Sequence, residues 1–495
     1  MKNYLLLLIV VVISSCASVK KRGVNTTNLI SPEKLKKDVD YAYHKLKQMH
    51  PQLYEYISKR DLDFKIDSLK RSIDTPLNPI GFYFKLQPVI TSIKQGHLSL
   101  QVPTEMLSKE DLSKIRKPLF SRFKYRIQGQ HLYIVENRDS IENIKPGTEL
   151  ISINDVPVSE YLEKYTKLIS SDGFNTTFQP YYLKDMFFHF YTLENGVLDS
   201  AKIEALYNKQ KQTFTLEREK DAENCNEKKP TMKTSYNRNF KFLDEKNSIA
   251  YMKIKNFSHY SSDKFYKNTF AEIKAAKSSY LIIDIRNNYG GSLEEINNLY
   301  SYLATQPFVL IKPSQLNSAL TPLRTNYFKK STALEYAIKS VTYPTYVFLQ
   351  ALNTYKGTDG KSYYKIKADN ITKPEKDAFQ GKIFVLINGG SFSSSSILSS
   401  KLKYDKRAIL VGEETGGAND GTVAGFYSYQ TLPNSKLILP IGLLLVNPNI
   451  TFSKTQKGVI PDVKIAETLQ DIIEKKDPQL DWVKDEIIKE KNSLK

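Results

Sequence analysis

The sequence predicts a multidomain α/β protein: an α/β core with a mainly parallel sheet, preceded by a β-rich module and a helical amino-terminal module. Three observations carry this. Between residues 240 and 470 the apolar runs SIAYMKI, YLIIDIR, KIFVLIN and AILVG alternate with helical patterns near 262–276, from Leu293 and from Ser394. Near-continuous apolar strands separated by helices mark a buried parallel sheet. Upstream, from about Lys117 to Leu216, short strands are punctuated by turn residues. Finally, 495 residues exceed what one hydrophobic core organises.

Residues 1–15 read as an export signal, with Lys2 as the positive start and LLLLIVVVI as an apolar stretch too short to span a bilayer. Ile13-Ser14-Ser15-Cys16 resembles a bacterial lipobox, which makes Cys16 the expected lipidation site. A polar linker, 16–29, leads to the helical module, 30–115. There Ser31-Pro32-Glu33 supplies a cap, a first-turn proline and an acid. Further helices are expected near Leu62–Ile73 and Pro79–Ile93, and the module ends in a segment that contains Gly96-His97.

The next module, 116–216, contains HLYIVENR and IKPGTELISINDVPV. The latter resembles the middle of a PDZ-like domain, with a helical insertion from Tyr161 to Tyr191. PDZ-like domains hold extended peptides along a sheet edge. The module is therefore expected to bind substrate away from the chemistry. A charged linker, 217–239, precedes the core, 240–470, and a tail, 471–495, reads as a solvated helix.

The net charge of +19 comes from Lys and Arg spread along the chain without a nucleic-acid motif, so no nucleic acid is expected. The charge suits a protein held near anionic lipid headgroups. With Cys16 acylated only Cys225 remains, and one cysteine builds neither a disulfide nor a cysteine metal site. No HExxH, EF-hand or Walker-type spacing occurs, so no metal and no cofactor are expected.

Two core strands run directly into glycine-bearing turns: Leu281 to Ser292, and Phe384 to Ile397, where serines open a helix. A serine on such a turn sits at the sheet surface beside helix-start N–H groups that can stabilise an oxyanion. These serines can also simply cap the helix.

Residues 240–470 resemble the carboxy-terminal processing (tail-specific) serine peptidases. The matching segments are Asp284–Gly291, Ser391–Ser396, Gly412–Gly416 and Gly458–Asp462. The resemblance implies a crotonase-like core and makes Ser393, in the middle of Ser391-Phe392-Ser393-Ser394-Ser395, the nucleophile. It also implies backbone oxyanion donors at Gly290 or Gly291 and at Ser394. One branch of that family uses a lysine shortly after the Gly-Glu-x-Thr segment, where this chain continues Gly416-Gly417-Ala418-Asn419-Asp420. The Gly96-His97 segment instead resembles the tricorn-like Ser/His branch, which makes His97 the base, and a histidine's ordinary pKa suits that task. That branch's carboxylate precedes Gly-Val-x-Pro-Asp, where this chain has Ser453-Lys454-Thr455-Gln456-Lys457. Glu413, or else Glu414, is then the expected orienting acid, and either can alternatively cap a turn or pair with Arg407.

The expected function is peptide-bond hydrolysis through an acyl-enzyme by an exported lipoprotein of the bacterial cell envelope. Its partners would be a peptide or unfolded protein and, through the lipid, a membrane. An inactive peptide-binding lipoprotein of the same fold and a hydrolase of non-peptide esters or amides remain alternatives, and the oligomeric state is open.

Overall fold

The computed structural model describes residues 28–103, 119–138, 144–218, 237–258, 261–329, 331–451 and 455–493. The signal segment, Cys16, Cys225 and most of the 217–239 linker lie outside them. Among the described residues no helix is long and apolar enough to cross a membrane.

The amino-terminal module holds α1 (Pro32–Met49), α2 (Lys59–Ser72) and α3 (Pro79–Thr91). Leu35, Val39, Ala42, Leu46 and Met49 repeat at helical spacing, and all are buried on α1. Ser58 Oγ caps α2 by accepting from Asp61 N–H at 3.1 Å, and Asn78 Oδ1 caps α3 by accepting from Gly81 N–H at 2.7 Å.

The second module is an antiparallel sheet of β1 (Phe123–Gln128), β2 (His131–Asn137), β3 (Thr148–Ile153), β5 (Ser200–Tyr207) and β6 (Gln210–Glu217) in that order, with β4 (Val156–Pro157) on β3. Helices α4 (Val158–Thr166) and α5 (Phe178–Asn195) connect β4 to β5. Alternation along β5 buries Ala201, Ile203 and Ala205 and leaves the residues between them outside.

The core is centred on a sheet formed by β7 (Arg238–Phe242), β8 (Ile249–Ile254), β9 (Tyr280–Asp284), β13 (Lys382–Ile387), β14 (Ile409–Gly412) and β17 (Val463–Lys464). Its spatial order is β17-β14-β13-β9-β8-β7, and every neighbouring pair is parallel except β7 with β8. Helices α6 (Ser262–Ala275), α7 (Leu293–Ser301) and α9 (Ser394–Tyr404) bury apolar residues in the same hydrophobic cluster as β8, β9 and β13. Between them in sequence α8 (Ala333–Asn353) lies on the outside with no buried residue.

Two features depart from the sequence reading. A second, antiparallel sheet joins β11 (Thr354–Lys356), β12 (Ser362–Tyr364), β10 (Ser314–Leu316), β16 (Ile438–Val446) and β15 (Thr422–Thr431). The carboxy-terminal tail, after α10 (Leu469–Ile473), is not a solvated helix. Its α11 (Pro478–Ser493) puts Val483 and Ile487, one helical turn apart, against Ile282, Phe384 and Leu386 of the parallel sheet.

The modules are tied together around the β15–β16 hairpin. Buried Asp38 of α1 accepts from Asn434 N–H at 2.9 Å and Ser435 N–H at 2.7 Å at the hairpin tip. Gln101 pairs with Ile438 as a short antiparallel bridge. These ties hold the segment that follows α3 against the β15–β16 hairpin.

Candidate active site

The turn from β13 into α9 is held from within and from β9. Ser391 Oγ accepts from Asn388 N–H at 3.1 Å and donates to Ile285 O at 2.8 Å, so this serine is a structural brace. Asn288 O accepts from Phe392 N–H at 3.0 Å and from Ser395 Oγ at 2.8 Å. Ser393 is thereby fixed at φ 56°, ψ −121°, a conformation that costs a residue with a side chain on the order of 1–3 kcal/mol. Its side chain makes no capping hydrogen bond, so the capping alternative does not apply to it. A serine held on a strained strand-to-helix turn presents its hydroxyl above the sheet.

His97 meets it from the amino-terminal module. Ser393 Oγ and His97 Nε2 are 3.0 Å apart. The imidazole stacks on Phe392 with ring centroids 4.9 Å apart, and Phe392 in turn stacks on Phe178 of α5 at 4.2 Å. A side chain on Gly96 would come within 2.7 Å of the Phe392 ring and 2.9 Å of Asp172 Oδ1, so glycine allows this approach.

The other imidazole nitrogen, Nδ1, lies 3.0 Å from Thr422 Oγ1, and Thr422 Oγ1 lies 3.1 Å from Asp172 Oδ1. An ionised carboxylate only accepts, so the threonine proton points to Asp172 and the threonine oxygen accepts from Nδ1–H. That tautomer leaves the Nε2 lone pair facing the Ser393 hydroxyl. Burial lowers the His97 pKa to about 4, which departs from the ordinary histidine range expected from sequence. Burial raises that of Asp172 to about 6, against the opposing hydrogen bonds from Gly96, Thr422 and Ala418.

The expected orienting acids lie elsewhere. Glu413 is hydrogen-bonded by Tyr181 Oη, and Glu414 Oε1 accepts from Asn175 Nδ2 at 3.0 Å and Gly458 N–H at 2.8 Å. Both carboxylates tie the second module or the 455–459 turn to the end of β14. Neither pairs with Arg407, which donates to the carbonyls of Leu303, Gly381 and Phe379.

Of the expected oxyanion donors, Gly290 N–H is engaged by Asn288 Oδ1 at 2.9 Å. No hydrogen bond of Gly291 N–H or Ser394 N–H occurs among the described residues. Gly291 has φ 142°, and a Cβ there would stand 2.0 Å from Phe257 O, so no other residue fits that turn. Ser394 opens α9, where the helix dipole adds positive potential.

Lysines near the serine are committed. Lys401 pairs with Asp405 at 3.0 Å and Lys403 with Asp462 at 2.7 Å. Lys401 also sits about two helical turns beyond Ser393, roughly 12 Å along the axis at 1.5 Å per residue.

Asp172 and Thr422 escape sequence reading. Ser170-Ser171-Asp172-Gly173 has the composition of an ordinary turn, and Thr422 opens a strand after Gly421. No local pattern links either to a histidine far along the chain. The loop that carries Asp172 belongs to the module expected to act at a distance. In the structure it enters the site instead.

Residues 248–465 match the family model described as Peptidase family S41. Mature CPAF has a similar fold over 90% of this chain and 94% of its own, with TM-score 0.59 and 15% identity. Mature CPAF complexed with lactacystin is similar over 90% and 96%, with TM-score 0.60 and 14% identity. No curated protein matches the sequence. The family model and the shared fold agree on a multidomain α/β fold like that of S41 peptidases.

Proposed function

We propose that the protein is a serine peptidase of the Ser/His type, with Ser393 as nucleophile and His97 as base. The observation that carries the reading is the 3.0 Å contact between Ser393 Oγ and His97 Nε2, on a turn beside two unengaged N–H groups. As Ser393 Oγ bonds to the substrate carbonyl carbon, its proton passes to Nε2. The carbonyl oxygen, now negative, is held by Gly291 and Ser394 N–H. When the C–N bond breaks, Nε2 returns the proton to the leaving amine, and water then hydrolyses the ester by the reverse proton path.

Supporting this reading, the ring tautomer needed for a base at Nε2 follows from the Thr422 and Asp172 contacts. A protein kept only for binding has no need of a strained serine aligned with a histidine. The second-module sheet is proposed to guide an extended peptide toward the site by a PDZ-like edge. Export and a lipid on Cys16 are proposed from the leader sequence, which places the activity in the cell envelope. Acylation should disappear in Cys16→Ala, and normal lipid labelling of that variant removes the anchor from the proposal.

The test is active-site labelling with a fluorophosphonate, alongside hydrolysis of a peptide panel. Lactacystin, which is bound in one CPAF structure, is a second probe. Ser393→Ala should abolish labelling, and His97→Ala should slow hydrolysis on the order of 10⁴-fold, with the double variant little worse. Labelling that persists in Ser393→Ala, or full activity in folded His97→Ala, overturns the assignment.

A further inference from the structure

Asp172 is a buried carboxylate with no cation beside it among the described residues. Its residue is 1% exposed, in the loop between α4 and α5. Oδ1 accepts from Gly96 N–H at 2.7 Å and from Thr422 Oγ1 at 3.1 Å, the Ala418 backbone N–H also stabilises the carboxylate, and Oδ2 has no hydrogen-bond partner of good geometry among the described residues. Tyr56 and Tyr427 face it as neutral phenols, their pKa values raised by burial, and Asp420 adds a second negative charge on the Tyr56 side. Lys94, whose carbonyl receives Gly173 N–H, turns its ammonium to the Phe174 ring at 3.6 Å. Among the described residues His97, one hydroxyl away, is the remaining titratable neighbour.

A buried carboxylate without a counter-charge costs folding free energy. That cost is recovered in function where a positive charge develops beside it. We propose that Asp172, acting through the hydroxyl of Thr422, is the positioning carboxylate that orients His97 and balances the imidazolium formed during acyl transfer. The inference rests on the Ser393–His97 reading above.

The Ser393 proton moves to Nε2, Nδ1–H stays on the ring and is donated to Thr422 Oγ1, and the threonine proton stays directed at Asp172. Nothing crosses the hydroxyl, which transmits orientation and charge by polarisation. The pairing exists only while His97 is charged, so it stabilises the transition state more than the ground state. Asp172 also holds the backbone next to His97 through Gly96 N–H. The loop is placed by Ser170 Oγ on Leu98 O, by Gly173 N–H on Lys94 O at 2.9 Å and by Asn175 Nδ2 on Thr415 O at 2.8 Å. All three modules therefore meet at this carboxylate.

The experiment uses the full chain with a short peptide substrate and compares Asp172→Asn, Thr422→Val and Thr422→Ser, with Ser393→Ala and His97→Ala in parallel. Asp172→Asn keeps the acceptor at Oδ1 and removes only the charge. It should lower kcat by about 10²- to 10³-fold, less than direct removal of a triad aspartate, with KM within about twofold. Thr422→Val should match it, Thr422→Ser should retain most of the rate, and the Asn/Val double variant should be no worse than either. The acidic limb of kcat/KM should move to lower pH in Asp172→Asn, because only His97 then titrates. Near-normal kcat and an unmoved acidic limb in folded Asp172→Asn and Thr422→Val, with Ser393→Ala and His97→Ala inactive, overturn this proposal alone. Activity surviving in Ser393→Ala or His97→Ala removes the underlying reading, and this one with it.

Discussion

Ser393 pays for its geometry in stability, and comparing two variants that lack its hydroxyl measures how much. Both Ser393→Ala and Ser393→Gly delete the hydroxyl and its contact with His97, so that loss cancels between them. Alanine keeps a Cβ at φ 56°, ψ −121°, whereas glycine occupies that region freely. The strain relieved is on the order of 1–3 kcal/mol. Glycine gives back about 0.4–1 kcal/mol through greater freedom of the unfolded chain. Ser393→Gly should therefore be more stable than Ser393→Ala by about 1.3 kcal/mol at mid-range, within limits of about 0–2.6 kcal/mol. The chain has a single tryptophan, Trp482, on α11 against the parallel sheet, so its fluorescence reports unfolding of the core that carries Ser393. With a urea m-value of about 3 kcal/mol per molar, the glycine midpoint should lie ~0.4 M higher at mid-range and at most ~0.9 M higher. An alanine variant with the higher midpoint refutes the claim that this turn is strained.

Other consequences are equally direct. Glu413→Gln should leave kcat within about threefold, since its carboxylate is bound by Tyr181 and does not reach His97; a 100-fold loss in folded protein contradicts the assignment. Deleting residues 117–216 should abolish hydrolysis of short and long peptides alike, because Asp172 and the Phe178 stack go with it; activity retained on short peptides argues that the module only binds substrate. Acid should destabilise the amino-terminal module through His50, which burial holds neutral with its pKa lowered to about 3. The unfolded chain takes up that proton below about 6.5 while the folded one does not. Stability should then fall by about 1.4 kcal/mol per pH unit from 6.5 toward 3. His50→Asn, which retains an acceptor for Gln52 N–H, should reduce the slope by about 1.4 kcal/mol per pH unit in urea titrations at pH 7, 6 and 5, leaving the share of His97, and an unchanged slope counts against His50 as a cause.

Much of the architecture was written in local patterns. Period-3.6 stripes marked α1 to α3, apolar runs marked β8, β9, β13 and β14, and the passage from an apolar strand through Gly389-Gly390 into a serine-rich helix marked the turn of Ser393. These features are legible because a few adjacent residues decide them: which face is apolar, where φ must be positive, where a helix can begin. The Gly96-His97 segment was legible by resemblance to a family, since nothing in its composition points to Ser393. Tertiary structure decided the rest. It set Tyr181, Asn175 and Gly458 against Glu413 and Glu414, removing both from the histidine. It laid α11 on the sheet, where two apolar residues suffice to bury a face of an otherwise charged helix. Above all, it joined His97, Asp172, Thr422 and Ser393 from four distant stretches of chain through contacts of 3.0–3.1 Å. A hydrogen bond depends on position to within a few tenths of an ångström, and periodicity specifies only the face on which a residue lies, not the partner it will meet.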